Sequence, residues 1–302
     1  MSRSRRSPGH LRLQRWVFHP LQAALLYALL GLFRMLPVDW SSWLGSRLLR
    51  TIAPLMAGPK RRARRTLAIC FPDMDERERE KIIAGMWDNL GRVAGEYPHL
   101  TRILDDPGRV EIVHRERFEA ARAAGRPVVL ISAHLANWEI AAHAAGRLAP
   151  PVALIYRAPN NRLLDPVIRR LRENPGLRQL RKGSEAAKGS VKILSEGGTL
   201  ALLVDQRLSS GIPVPFFGRP AMTAPAVAQF AMRFDAVILP AQLCRLGGAR
   251  FRLVIEEPIE VPRSGDRAAD ILAVMTRVNE TLERWIREHP EQWLWIHRRW
   301  KD

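Results

Sequence analysis

The 302-residue chain has only two cysteines, Cys70 and Cys244. They lie in apolar or mixed surroundings without CxxC spacing, so they frame no disulfide scaffold and no zinc site. They read as reduced core thiols in a reducing compartment. No Gly-x-Ser-x-Gly occurs, so no serine is set up as a nucleophile, and no nucleotide-binding loop or metal cluster is visible. Internal repeats and low-complexity linkers are also missing. Acidic residues are scarce, 30 against 48 Lys+Arg for a net charge of +18, and residues 1–15 contain none while carrying Arg3, Arg5, Arg6, Arg12 and Arg15. What is plentiful is apolar: 47% hydrophobic residues exclude a disordered chain and suffice for one large α/β domain with an N-terminal appendage. The basic surplus calls for an anionic partner, whether nucleic acid, an acidic protein or an anionic membrane, unless it only reflects an Arg-rich genome.

From Trp16 to Phe33 the chain carries no formal charge. As a helix this run would reach about 27 Å, the short end of what spans a bilayer. It ends at Arg34-Met35-Leu36-Pro37, which offers no small-residue cleavage site, so a retained anchor with its basic end in the cytoplasm is expected rather than a signal peptide. Beyond it, Pro37 to Met56 is apolar but punctuated by Asp39, Arg47 and Arg50, with Trp40 and Trp43 close together, as suits a helix lying in the interface. The run Lys60-Arg61-Arg62-Ala63-Arg64-Arg65 would then face phospholipid or water. The chain divides into a basic cytoplasmic arm (1–15), a membrane-anchor helix (16–36), an interfacial and helical segment (37–100) and an α/β core (101–302).

Residues 75–100 show helical spacing. Strands are predicted at 127–132, 151–156, 199–204, 236–243 and 251–255, and helices at 137–148, 161–174, 185–195, 224–233 and 268–289. Such alternation implies an α/β fold, a mixed, mostly parallel sheet flanked by helices. Ligands of open α/β sheets lie outside the carboxyl ends of the strands. There the first strand runs into His134, the second into Arg157 and the third into Asp205-Gln206, which would gather a base, a cation and an acid at one edge. Glu139 lies five residues beyond His134, about 140° away on a continuous helix. With His134 in the turn and the helix starting near Asn137, the carboxylate could fold back to orient the imidazole. Without a nucleophilic serine or cysteine, the simplest chemistry is direct transfer, His134 taking the proton of an acceptor hydroxyl. The plain alternatives are a structural His134, Trp138 as core and Arg157 as a surface charge.

The stretch His134-Leu-Ala-Asn-Trp-Glu139 resembles the H-x4-[DE] signature of the lysophospholipid-acyltransferase superfamily. Ile69-Cys70-Phe71-Pro72, Leu203-Val204-Asp205-Gln206, Val214-Pro215-Phe216-Phe217-Gly218 and the ending from Pro290 to Trp300 narrow the resemblance to the late acyltransferases of lipid A biosynthesis, the lauroyl and myristoyl transferases. It extends from the N-terminal anchor to residue 300. It implies transfer of a fatty acyl group from acyl carrier protein to a hydroxyl on a lipid A precursor, at the cytoplasmic face of a bacterial inner membrane, with no covalent acyl-enzyme and no cofactor beyond the donor's own prosthetic arm. Carried onto this chain, His134 is the base and Glu139 its orienting partner. Arg157 and Asp205 match positions implicated around that family's active site; we expect Arg157 to stabilise a phosphate or oxyanion and Asp205 to organise the site. Asn137, Trp138, Gln206, Arg298 and Arg299 are expected to bind substrate. The wider superfamily's Phe-Pro-Glu-Gly-Thr block has only Ser195-Glu196-Gly197-Gly198-Thr199 as a counterpart, which disfavours a glycerol-phosphate acceptor.

Acyl carrier protein and the phosphorylated precursor are both anions, and a strongly basic surface would raise encounter with each. Arg162, Arg169, Arg170, Arg172, Arg178, Arg181, Lys182 and Lys188 form the densest basic stretch, expected to touch the carrier protein or the sugar phosphates unless it is only a solvated face. Membrane phospholipid is a third expected partner. Two other functions remain open: a related acyltransferase with a different glycolipid or phospholipid acceptor, and a basic, non-enzymatic membrane-surface module. Nucleic acid is not expected, because the arginine clusters lack interleaved aromatic stacking platforms.

Overall fold

In the computed structural model, residues 14–148 and 150–300 are described. Most of the basic arm, with Arg3, Arg5, Arg6 and Arg12, and the last two residues lie outside them. A π-helical turn, Gln14–Phe18, leads into α1 (His19–Met35), followed by α2 (Val38–Ile52), α3 (Ala57–Cys70), α4 (Glu76–Glu96) and α5 (Leu100–Asp105). Then come β1 (Val110–Val113), α6 (Arg115–Ala123), β2 (Val128–Ser132), α7 (Trp138–Leu148), β3 (Val152–Tyr156), α8 (Asp165–Leu171), β4 (Leu177–Arg181), α9 (Ser184–Ser195) and β5 (Thr199–Leu203). The chain continues through β6 (Ile212–Phe216), β7 (Arg219–Thr223), α10 (Ala226–Phe234), β8 (Val237–Gly247), β9 (Arg250–Ile255) and α11 (Arg267–Glu288).

Seven strands form one sheet in the order β1-β9-β8-β2-β5-β3-β4. The run from β8 to β4 is parallel, while β9 is antiparallel to β8 and parallel to β1. This is the mixed, mostly parallel α/β sheet flanked by helices that the alternation implied. Every residue of β2 is buried, as a strand covered on both faces requires. Its side chains alternate: Val129 and Ile131 join the core formed with α9, α10 and α11, and Val128 and Leu130 join the core formed with α6 and α7.

Four strands were not expected. The edge strand β4, Leu-Arg-Gln-Leu-Arg, carries the charges by which sheet edges avoid pairing with other chains, and those charges hide it among the basic residues. Prolines 213 and 215 disguise β6, which survives because it lies in a separate two-stranded hairpin with β7. The hairpin turns at Phe217 and Gly218, with φ of 49° and 69°. Two successive left-handed residues give the turn a twist that matches its strands. β1 is a four-residue strand at the opposite sheet edge. The expected helix 161–174 is shorter: a 3-10 turn at Arg162–Leu164 leads into α8, which ends at Leu171. Pro175 disfavours helical backbone at Asn174, and the Asn174 side chain instead accepts from the Gly176 N–H at 3.0 Å.

The N-terminal helices pack unusually. α2 buries Ser41, Ser42, Gly45 and Ser46, while Trp40 and Trp43 are exposed. Its small polar face lies against α4, where a Cβ on Gly91 would sit 2.4 Å from the Gly45 carbonyl oxygen and one on Gly95 would sit 2.1 Å from that of Ser41. The two backbones therefore touch. Ser41 donates to the Gly95 carbonyl at 2.7 Å and Ser42 to the Glu96 carboxylate at 2.7 Å. The stretch Trp16–Met35, mean hydropathy 1.5, is long and apolar enough to cross a membrane by length and composition. Packing at the α2–α4 seam is testable. Gly95→Ala should cost about 1–3 kcal/mol, the usual toll of overpacking, and lower the thermal midpoint. Gly58→Ala, where an added Cβ meets nothing within 4 Å, should leave it unchanged.

Candidate active site

The site grows from the turn between β2 and α7. Past Ser132 the chain leaves the sheet, and Leu135 forms an isolated antiparallel bridge with Trp293. Ala136 adopts φ 47°, and its N–H reaches the Gln292 carbonyl at 3.2 Å. Asn137 then starts the helix: its side-chain oxygen accepts from the Glu139 N–H at 3.2 Å. His134 thus lies in the strand-to-helix turn, at the carboxyl edge of the sheet.

Asp205 arrives from the neighbouring strand. β5 pairs with β2 in register, Ser132 opposite Leu203, and the Val204 N–H extends the ladder to the Ser132 carbonyl at 3.0 Å. The fully buried Asp205 carboxylate accepts from three donors. His134 Nδ1 lies 2.8 Å from Oδ1, the His134 backbone N–H 3.0 Å from Oδ2, and Trp293 Nε1 2.8 Å from Oδ2. Burial opposes its charge, but the His134 ring, the bond to it and the more distant His297 together hold the carboxyl well below the usual range. An ionised Asp205 fixes His134 with its proton on Nδ1, leaving the Nε2 lone pair to accept.

Glu139 does not orient His134. Its carboxylate is gripped by Arg172, with Nε 2.8 Å from Oε2 and a terminal nitrogen on Oε1. The Arg172 guanidinium lies 5.8 Å from the centre of the Tyr97 ring. Burial disfavours the cation, yet Glu139 and Tyr97 keep it charged. The helix begins at Trp138, so Glu139 lies in its first turn, and the imidazole turns to the carboxylate on the neighbouring strand. Arg172, expected only as one member of a basic surface, is this carboxylate's partner. No short-range pattern connects them.

The remaining predicted positions separate into those beside His134 and those away from it. Trp138 packs on the imidazole, ring centres 5.1 Å apart. Gln206 is exposed and places its amide nitrogen 3.2 Å from His134 Nε2 and 3.2 Å from His297 Nε2. Arg157 is exposed at the end of β3, which is separated from β2 by β5; strand spacing puts it roughly 10 Å from the level of Ala133. Arg298 is exposed. Asn137 and Arg299, expected to bind substrate, are fully buried, and their side chains bond within the protein. Asn137 donates to the Glu96 carboxylate at 2.9 Å. Arg299 donates to the Met222 carbonyl at 3.1 Å, Thr223 Oγ1 at 2.8 Å and Asn279 Oδ1 at 3.2 Å, and stacks over Phe216 with its guanidinium carbon 4.8 Å from the ring centre. Burial lowers its pKa to about 10.

His297 was not expected as a site residue in its own right. Its ring centre lies 4.9 Å from that of His134. Burial, reinforced by the charge His134 can carry, pushes its pKa down to about 4. Behind the turn, Glu96 pairs with Arg245, whose Nε also donates to Asn89 at 2.9 Å, and Asn89 donates to the Ala136 carbonyl at 2.9 Å. Among the described residues no three His, Cys, Asp or Glu side chains converge as metal ligands would. The geometry supplies an oriented imidazole at the carboxyl edge of the sheet, and among the described residues no serine, threonine or cysteine side chain is bonded to it.

The family described as bacterial lipid A biosynthesis acyltransferase matches residues 7–302. The lipid A biosynthesis palmitoleoyltransferase of Escherichia coli (strain K12) is 27% identical over 280 residues, covering 90% of this chain and 88% of that one. The lauroyltransferase of the same organism is 27% identical over 295 residues, covering 88% and 92%. Its myristoyltransferase is 25% identical over 285 residues, covering 86% of each.

Two outcomes follow from this geometry. Below pH 6.5 an unfolded His297 binds a proton that the native ring refuses until about pH 4, so acidification through that window favours unfolding. His297→Asn should therefore lose less stability than the parent between those limits, by on the order of 2–3 kcal/mol, measured by denaturant titration at stepped pH. Glu139→Gln leaves the Arg172 cation buried without its counter-charge and should cost about 3–5 kcal/mol in the same titration at neutral pH.

Proposed function

Because the chain belongs to the bacterial lipid A biosynthesis acyltransferases, we propose that it transfers a fatty acyl chain from acyl carrier protein to a hydroxyl of a lipid A precursor, with His134 as general base. The observation that carries the mechanism is the double anchoring of His134 to Asp205 through Nδ1 and the backbone N–H. It orients Nε2 as the proton acceptor. His134 takes the acceptor hydroxyl's proton as the oxygen attacks the thioester carbonyl. The tetrahedral adduct collapses, the C–S bond breaks, and the imidazolium returns the proton to the departing thiolate. No covalent acyl-enzyme intervenes. Asp205 stabilises the imidazolium while remaining ionised, as the carboxylate of a catalytic triad does.

The exposed cations Arg157 and Arg298 serve the anionic groups of the substrates. Arg178 and Arg181 on the exposed edge strand β4, with Lys182 beyond it, face the acidic carrier protein. At the N-terminal side of the chain, α1 anchors the enzyme in the inner membrane with the site on the cytoplasmic side. The outward Trp40 and Trp43 of α2, with Arg47 near Trp43 at 5.9 Å from its ring centre, rest among the headgroups. The divisions 1–15, 16–36, 37–100 and 101–302 then read as arm, anchor, interfacial layer and catalytic core. No cofactor is required beyond the donor's prosthetic arm.

Purified enzyme, labelled acyl carrier protein donor and a lipid A precursor test the proposal directly. His134→Ala should slow transfer by on the order of a hundredfold or more while folding and membrane association persist. Near-parental turnover by that variant would remove the base mechanism. Turnover only with a different glycolipid or phospholipid would move the acceptor elsewhere.

A further inference from the structure

The arrangement around His134 Nε2 contains a conflict. The lone pair that would accept a hydroxyl proton already faces the Gln206 amide nitrogen at 3.2 Å. With Nδ1 committed to Asp205, Nε2 is the ring's acceptor and can take one strong hydrogen bond at a time. A hydroxyl proton cannot reach it while Gln206 donates there. The same amide nitrogen lies 3.2 Å from His297 Nε2, so its second N–H already has a partner there and the amide is held between the two rings.

We infer that Gln206 caps the lone pair of His134 and that His297 is the post that holds this cap aside when an acceptor hydroxyl displaces it. This inference rests on the base role proposed for His134 and makes Gln206 and His297 positioning residues. Three features favour it. Gln206 is exposed on a segment beyond the end of β5, so its side chain has room to turn. His297 stays neutral near physiological pH and can accept from an amide. The amide already touches both imidazoles, whose centres are 4.9 Å apart, so giving up His134 takes a side-chain rotation about the His297 bond rather than a backbone shift. His297 does not compete for the hydroxyl itself: its half-buried ring takes up a proton only near pH 4, and the Asp205 carboxylate is bonded to the His134 ring instead. The incoming hydroxyl replaces the Gln206 bond at His134 Nε2 while the bond to His297 is kept, so uncapping adds little to the barrier.

The full-length enzyme can be probed with diethylpyrocarbonate, which acylates the free lone pair of a neutral imidazole, and labelling of His134 can be read by peptide mass spectrometry. Gln206→Ala should raise the His134 labelling rate about tenfold, the worth of one lost hydrogen bond. Gln206→Asn, whose shorter amide falls short of both rings, should match it. His297→Ala keeps the cap in place, so labelling stays at the parental rate while acceptor-dependent kcat/KM falls about tenfold. In the double variant that loss should vanish, because no cap remains to be drawn away; turnover then equals that of Gln206→Ala, a non-additivity that a merely structural His297 would not produce. Parental labelling of His134 in Gln206→Ala, or additive losses in the double variant, would overturn the inference. The labelling arm does not depend on turnover. A His134→Ala enzyme that still transfers acyl groups would therefore sink the base role and leave the measurement of the cap intact.

Discussion

The buried pair between Glu96 and Arg245 is the constraint on which the remainder of this molecule leans. Glu96 is wholly buried and Arg245 nearly so, and the guanidinium engages both carboxylate oxygens. Burying two charges is costly unless every remaining donor and acceptor is met. Here the surroundings meet them from several directions: Ser42 from α2, Asn137 from the start of α7, Asn89 from α4 and the Gly248 carbonyl from the turn after β8. Gln292 closes the circuit by bonding the backbone of Arg245 in both directions. One ion pair thus fastens the N-terminal helices, the His134 turn, the sheet and the C-terminal segment to each other. Within such a network a lost member strands the others, which makes it cooperative.

This arrangement explains which parts of the molecule were readable from the chain alone. The interior strands β2, β3 and β5 announce themselves as short apolar runs because they are covered on both faces. Charged β4 and proline-bearing β6 do not, since an edge and a detached hairpin follow other rules. The placement of His134 in a strand-to-helix turn was readable, because the apolar run stops there and a helical pattern begins. The identity of its carboxylate was not. Glu139 is five residues away and Asp205 is 71, yet the sheet order sets β5 directly beside β2 although β3 and β4 intervene in sequence. That crossover carries no local signal. The same holds for Arg172 on Glu139 and for Trp293 and His297, delivered by the C-terminal segment.

Helix α2 shows a different failure of local reading. Amphipathic helices of soluble proteins turn apolar residues inward. Here serines and a glycine face α4, and tryptophans face out. The reason is close approach: small residues let the two backbones touch, and hydroxyls satisfy the groups that such contact buries. The apolar face is left for surroundings other than the protein's own core, in keeping with a proposed bed among lipid headgroups.

The carboxylate that steadies His134 is itself held by Trp293, 88 residues further along the chain, and the His297 ring stands beside that of His134. Proteins emerge from the ribosome N-terminus first. The apolar N-terminal helix, the sheet and even His134 itself are all made before Trp293 and His297. A chain cut short before Trp293 would therefore carry His134 and Asp205 without the indole that holds their carboxylate or the imidazole that stands beside them.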